Sequence, residues 1–183
     1  MKNTLMFTFT IILSITIVNG QNTVKYSADK AVSYVTYAMS HPLHDWEGTS
    51  KNVNSVLLLN PENKQIAKVA VLIPVSSFDS QNANRDSHMI EVLEGLKYPN
   101  VTFTSTSIIN NGNKSSVIGD LIFHGVKKSI TFDVVTKTTD KTIEASGTFV
   151  VKMSDFKIEN PSLMGISTKD EIGIKFFVVY KSN

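Results

Sequence analysis

Polar and apolar positions alternate along most of this chain. Over residues 65–75, Ala67, Val69, Val71 and Ile73 fall on one side, with Lys68 and Ala70 opposite. That two-residue period predicts a strand with one buried face. Over 172–180, Ile172, Ile174, Phe176 and Val178 repeat the pattern. Further runs rich in β-branched and aromatic residues occupy 31–39, 55–59, 101–104, 117–124, 129–136 and 143–151. Turn signals separate them at Asn60-Pro61-Glu62-Asn63, Asn110-Asn111-Gly112-Asn113, Gly125-Val126-Lys127 and Thr139-Asp140-Lys141. The Asn-Gly pair is the strongest of these, because both residues tolerate the positive φ of a tight hairpin. Short strands at this spacing, each apolar on one face only, predict an all-β antiparallel sandwich or barrel.

One segment breaks the pattern. The polar stretch Ser76-Ser77-Phe78-Asp79-Ser80 leads into a short helix that carries Arg85, Asp86, His88 and Met89 and ends near Gly95. Asn84 is a candidate cap, and Asp86 in the first turn is favoured by the helix dipole. Met89, Ile90, Leu93 and Leu96 recur at helical spacing, which predicts one face packed on the sheet. Tyr98-Pro99 then stops the helix before the next strand.

On a closed sheet the inward residues would include Phe103, Leu121, Phe123, Ile130, Phe132, Val134, Phe149 and Phe176. A small barrel either packs such side chains into a solid core or holds one apolar ligand among them. The pattern alone fits both.

Composition adds a compartment. Lys2 followed by an apolar run from Leu5 to Val18 and the small residue Gly20 predicts a signal peptide over 1–20, cleaved before Gln21. The run is shorter than the roughly 20 residues that span a bilayer, so a retained anchor is not expected. The expected product is one domain over 21–183, periplasmic or secreted, without stable membrane insertion. The chain has no cysteine, hence no disulfide framework or thiol lipid attachment. Its net charge of +2, spread over single lysines apart from Lys127-Lys128, is no footprint for nucleic acid.

Several pieces in order carry a resemblance. They are the Ser-Ser-Phe-Asp-Ser loop; Asn84-Arg85-Asp86-Ser87-His88-Met89; Tyr98-Pro99-Asn100-Val101-Thr102-Phe103; Gly119-Asp120-Leu121-Ile122-Phe123-His124-Gly125-Val126-Lys127-Lys128; Ser154-Asp155-Phe156; and Lys169-Asp170-Glu171-Ile172-Gly173-Ile174. The sequence resembles the YceI-like family of exported, lipocalin-like β-barrels. The resemblance implies an antiparallel barrel of about eight strands with one short helix in a connecting loop. It also implies an apolar interior that binds isoprenoid-chain or other amphiphilic lipid, with no cofactor and no catalysis. Two positions depart from the family pattern. Asp79-Ser80 stands where Asp-Thr is common, and Met153-Ser154 stands where an arginine often precedes Asp-Phe.

His41, His44, Arg85 and His88 are the candidate polar groups of a barrel mouth. His41 and His44 also carry the competing chemistry, a metal-dependent enzyme. With Asp45 and Glu47 they supply ligand types, and His88 and His124 are the further histidines that could complete a set in space. Pro42 between the two histidines disfavours a helix, so helical metal-motif spacing does not apply. The expected assignment is therefore no metal, with the histidines hydrogen-bonded to backbone in a strand-to-strand connection. A third possibility is a barrel with a filled core that acts through its surface as a stress or interaction module.

Overall fold

The computed structural model describes residues 22–139, 141–163 and 165–182. The expected leader lies outside them. The elements are β1 (Val24–Ala28), β2 (Tyr34–His41), β3 (His44–Ser50), β4 (Asn54–Leu59), β5 (Ile66–Pro74), a 3-10 turn (Val75–Ser77), α1 (Ala83–Val92), β6 (Asn100–Asn111), β7 (Lys114–Phe123), β8 (Val126–Thr138), β9 (Thr142–Lys152), a second 3-10 turn (Ser154–Phe156), β10 (Ser162–Leu163), β11 (Ile166–Ser167) and β12 (Glu171–Ser182).

Eight of these strands close on themselves in the order β1, β4, β5, β6, β7, β8, β9, β12, and β1 again. Every pairing is antiparallel. The β2–β3 hairpin extends the wall. β12 pairs with β2 from Gly173 to Phe177 and with β1 from Tyr180 to Ser182. β1 and β2 are thus one edge along β12, interrupted by a turn in which the Ser33 N–H donates to the Asp29 carbonyl (3.0 Å). The far edge of β3 meets the loop ahead of α1, where Thr49 and Asp79 exchange two backbone hydrogen bonds (2.9 and 3.1 Å).

The two ends of the barrel differ. Short turns close one end, between β4 and β5, β6 and β7, and β8 and β9. The helix, the second 3-10 turn and the β2–β3 and β10–β11 hairpins gather at the other.

The structure corrects several sequence expectations. The strand expected over 31–39 starts at Tyr34, because Asp29–Ser33 is spent on the turn. β1 and β3 carry too little alternation to be read as strands. Ala67 is exposed rather than inward. The register skips it between the pairs Leu58–Lys68 and Leu59–Ile66, so Ile66 takes the inward place. Asn82 rather than Asn84 caps the helix, its side chain accepting from the Arg85 N–H. Leu96 is 99% exposed, because Glu94 turns into the left-handed region (φ 44°) and ends the helical period before it.

Small inward residues shape the interior. A Cβ on Gly119 would stand 2.4 Å from the Phe103 ring, and one on Gly147 would stand 2.8 Å from the Phe176 ring. Glycine at these places lets both rings lie against the wall. Phe132 stacks on Phe149 (4.6 Å, 19°) and meets Phe103 at 5.2 Å and Phe176 at 5.9 Å. The Phe132–Phe149 stack also bridges a seam, since the β8–β9 ladder runs only from Val135–Ser146 to Thr138–Ile143.

At the short-turn end the core is dense, with Leu57 and Ile143 each 1% exposed. There the Ser55 hydroxyl donates to the Ala70 carbonyl (2.9 Å), which leaves the buried Tyr180 phenol to donate to Ser55 Oγ (2.7 Å). Burial pushes the Tyr180 phenol up to about 12, against the opposing effect of the Ser55 hydrogen bond. An unfolded tyrosine ionises near 10, so above that pH the unfolded state loses a proton that the folded state keeps. Stability should therefore fall by about 3 kcal/mol between roughly pH 10 and 12 through this group. Urea unfolding of Tyr180→Phe against the parent over that range should show the variant losing less.

Candidate functional site

The barrel holds a half-open cavity of about 500 Å³, inside the roughly 300–1,000 Å³ range of small-molecule sites. Its wall is almost wholly apolar. Phe103, Leu121, Phe123, Phe132, Val134, Phe149 and Phe176 all face it. Ile130 packs against the surrounding core. Phe132, Phe149 and Phe176 are only half-buried although they point inward, because they border the empty space. The interior is thus a cavity and not a filled core.

The helix is the cavity's cover. None of its residues is buried, yet Arg85, His88, Met89 and Val92, together with Leu93 just past its end, line the cavity. The helix touches the barrel through this partly wetted face and is held at its ends by polar contacts. At its start, the Asp86 carboxylate accepts from the Ser80 N–H (3.1 and 3.3 Å). Past its end, Glu94 meets His124 Nε2 at 2.9 Å, while His124 Nδ1 donates to the Phe156 carbonyl (3.1 Å).

The four expected mouth residues all border the cavity, in different ways. The Arg85 guanidinium lies 5.6 Å from the Trp46 ring centre and donates to the Ser80 carbonyl (3.4 Å). It forms no ion pair with Asp86, whose carboxylate is turned to Ser80. His88 is largely exposed, 3.6 Å from Glu91. His44 stacks loosely between His41 and Trp46, with centroids 5.8 and 5.3 Å away.

His41 is the most constrained of the four, at 4% exposure. Its Nε2–H donates to the Ile166 carbonyl (3.0 Å), and its Nδ1 accepts from the Leu43 N–H (3.2 Å). Both ring nitrogens are committed to backbone, so His41 can take a metal only by breaking one of these bonds. Among the described residues no three metal-ligating side chains come together. The segment expected as a strand-to-strand connection is a two-residue hairpin, in which His41 pairs with His44 across Pro42-Leu43.

Trp46 and Tyr37 were not among the candidates. Trp46 sits on β3, whose inward positions are His44, Trp46 and Gly48, a set without a hydrophobic period. The Tyr37 ring lies across Gly48, where a Cβ would stand 2.5 Å from it. Its hydroxyl is buried without a hydrogen-bond partner among the described residues. Burial raises its pKa, and the Asp86 charge acts in the same direction.

A closed antiparallel barrel with an apolar cavity beneath a helix is a lipocalin-like architecture. The family model for the YceI-like domain matches residues 26–180, and the chain belongs to that family. It is 33% identical over 137 residues to Protein YceI of Salmonella agona (strain SL483), covering 72% of this chain and 71% of that one. Burkholderia cenocepacia BcnA shares the fold at a TM-score of 0.75 and 25% identity, over 83% of this chain and 98% of that one. A polyisoprenoid binding domain from Saccharophagus degradans superposes at a TM-score of 0.71 with 15% identity, over 87% and 99%.

The unequal roles of the two histidines are testable. His41→Ala removes a buried ring together with both of its backbone hydrogen bonds and should lower stability by about 1–3 kcal/mol. His44→Ala, at an exposed position, should stay within about 0.5 kcal/mol. Urea unfolding of the two single variants measures both.

Proposed function

We propose that the chain is an exported carrier that sequesters an isoprenoid-type lipid, or an amphiphile with a similar apolar chain, without catalysing a reaction. The observation that carries this reading is the apolar cavity beneath the helix. Each buried methylene gains about 0.8 kcal/mol on leaving water, offset by the freedom that ligand and helix lose. The ligand-binding surface would be the ring of Phe103, Leu121, Phe123, Phe132, Val134, Phe149 and Phe176. A polar head would remain near Arg85, His44 and His88, with Trp46 beside it. His41 would serve by holding the hairpins in place.

Support comes from three sides: the chemistry of the lining, membership of the YceI-like family, and the shared fold with a domain described as polyisoprenoid binding. Export rests on the leader pattern of Lys2, the run to Val18 and Gly20. Mature protein beginning at Gln21, periplasmic or secreted, belongs to the same proposal.

The test is organic extraction of protein purified natively from its host, followed by mass spectrometry. A prenyl-chain lipid at near-stoichiometric level is expected. A protein that carries no lipid and takes up no prenyl probe in solution would contradict the reading.

A further inference from the structure

We propose that His124 is a pH-sensitive latch on the helical cover. Its ring ties the cover to the barrel in full only when both of its nitrogens carry a proton. The inference rests on the helix being the cavity's cover and not on which ligand the cavity takes.

Two oxygens face the ring, and neither has a proton to give. Nδ1 lies 3.1 Å from the Phe156 carbonyl, and Nε2 lies 2.9 Å from a carboxylate oxygen of Glu94. A neutral imidazole has one N–H and one lone pair, so either tautomer turns its lone pair toward an oxygen. The imidazolium donates to both. His41 shows the opposite arrangement. One of its nitrogens donates to the Ile166 carbonyl and the other accepts from the Leu43 N–H, which suits the neutral ring.

The backbone fixes the ring in this place. His124 and Gly125 both take positive φ (49° and 71°) in the tight turn between β7 and β8. The Tyr98 ring lies against Gly125, where a Cβ would stand 2.4 Å from it, and meets the His124 ring edge-on at 4.8 Å. The His124 side chain is 11% exposed, so little water competes for its nitrogens. The other charged groups nearby are paired among themselves. Past α1, Lys97 holds the second oxygen of Glu94 (3.4 Å) and lies over the Tyr98 ring (4.8 Å). Asp155 on the second 3-10 turn pairs with Lys128 on β8 (3.6 Å), and Asp120 on β7 pairs with Lys127 on β8 (3.1 Å). Lys157, exposed, follows Phe156.

Among the described residues, Glu94–His124 is the one hydrogen bond between residues 82–98 and the barrel. The bonds of Asp86, Arg85 and Lys97 stay within the helical segment and the loop before it. Below the ordinary imidazole range, about pH 6.5, the tie is whole. Above it one of the two bonds is lost, and the end of the helix lifts more readily. The cover therefore holds in mild acid and exchanges the cavity's contents faster at higher pH.

Hydrogen exchange of the α1 amides at about pH 5.5 and about pH 8, each corrected for the intrinsic exchange rate, tests the latch without any ligand. Protection should fall about threefold to tenfold from the lower pH to the higher, the scale of one partly exposed charge-assisted bond. In Glu94→Gln the amide donates to a neutral ring and accepts from a charged one, so protection should differ by less than about twofold. Glu91→Gln, which removes the partner of His88 on the same helix, should keep the parent's pH dependence. Stopped-flow uptake of N-phenyl-1-naphthylamine, an uncharged apolar fluorophore, should quicken with pH in the parent and stay level in Glu94→Gln. Equal protection of the parent at both pH values would overturn the inference. So would a pH dependence that survives Glu94→Gln or disappears with Glu91→Gln. The parent's exchange decides alone if a variant does not fold. The predicted exchange without fluorophore uptake at either pH would reject the cavity reading and leave the latch standing.

Discussion

The molecule depends on β1, which closes the sheet. Five residues, Val24–Ala28, pair with β4 on one edge and with β12 on the other. Without them two strands would present unpaired backbone to solvent, a template for wrong pairing. With them the wall has no edge there, and alternation sends every second side chain inward. The ring so formed is wider than its side chains fill. Gly119, Gly147 and Ala145 contribute little or nothing to the interior, and the aromatic rings beside the two glycines lie against the wall. The cavity is the space these residues leave open.

Closure also explains why the two ends do different work. At the short-turn end, neighbouring strands are joined by tight turns, and the polar groups there satisfy one another, as Tyr180 does with Ser55. At the other end longer connections are free to carry the helix and two hairpins. The helix buries none of its residues completely and is held through Asp86 and Glu94. A cover attached by polar contacts at its ends and resting on a partly wetted apolar face suits reversible entry. Few buried contacts must be broken to lift it.

The strands were legible in the sequence wherever burial is one-sided and continuous. In β7, Val117, Leu121 and Phe123 fall on one face; in β12, Ile172, Ile174, Phe176 and Val178 do. β3 was not legible, because its inward residues are His44, Trp46 and Gly48, chosen for the mouth and for the Tyr37 ring rather than for hydrophobicity. Ala67 and Leu96 misled for a shared reason. Each continues a period that the backbone interrupts, one at a bulge and the other at a left-handed residue. The inward aromatic set was readable as a set. Whether it fills the barrel was not, since the same list serves a core or a cavity. Three-dimensional closure and the placement of two glycines decide that.

The central claim is that Phe132 borders a cavity and is not part of a packed core. The stability of Phe132→Ala in ligand-free protein, by urea unfolding, tests it most directly. A fully packed phenylalanine loses about 3–5 kcal/mol on truncation. Phe132 has one stacked neighbour, two edge or tilted ones and open space on its remaining side. The account predicts a loss below that range, on the order of 2 kcal/mol, because part of the ring already faces open space, together with weakened binding of a prenyl probe. A loss of the full packed-core size with unchanged probe binding would contradict it.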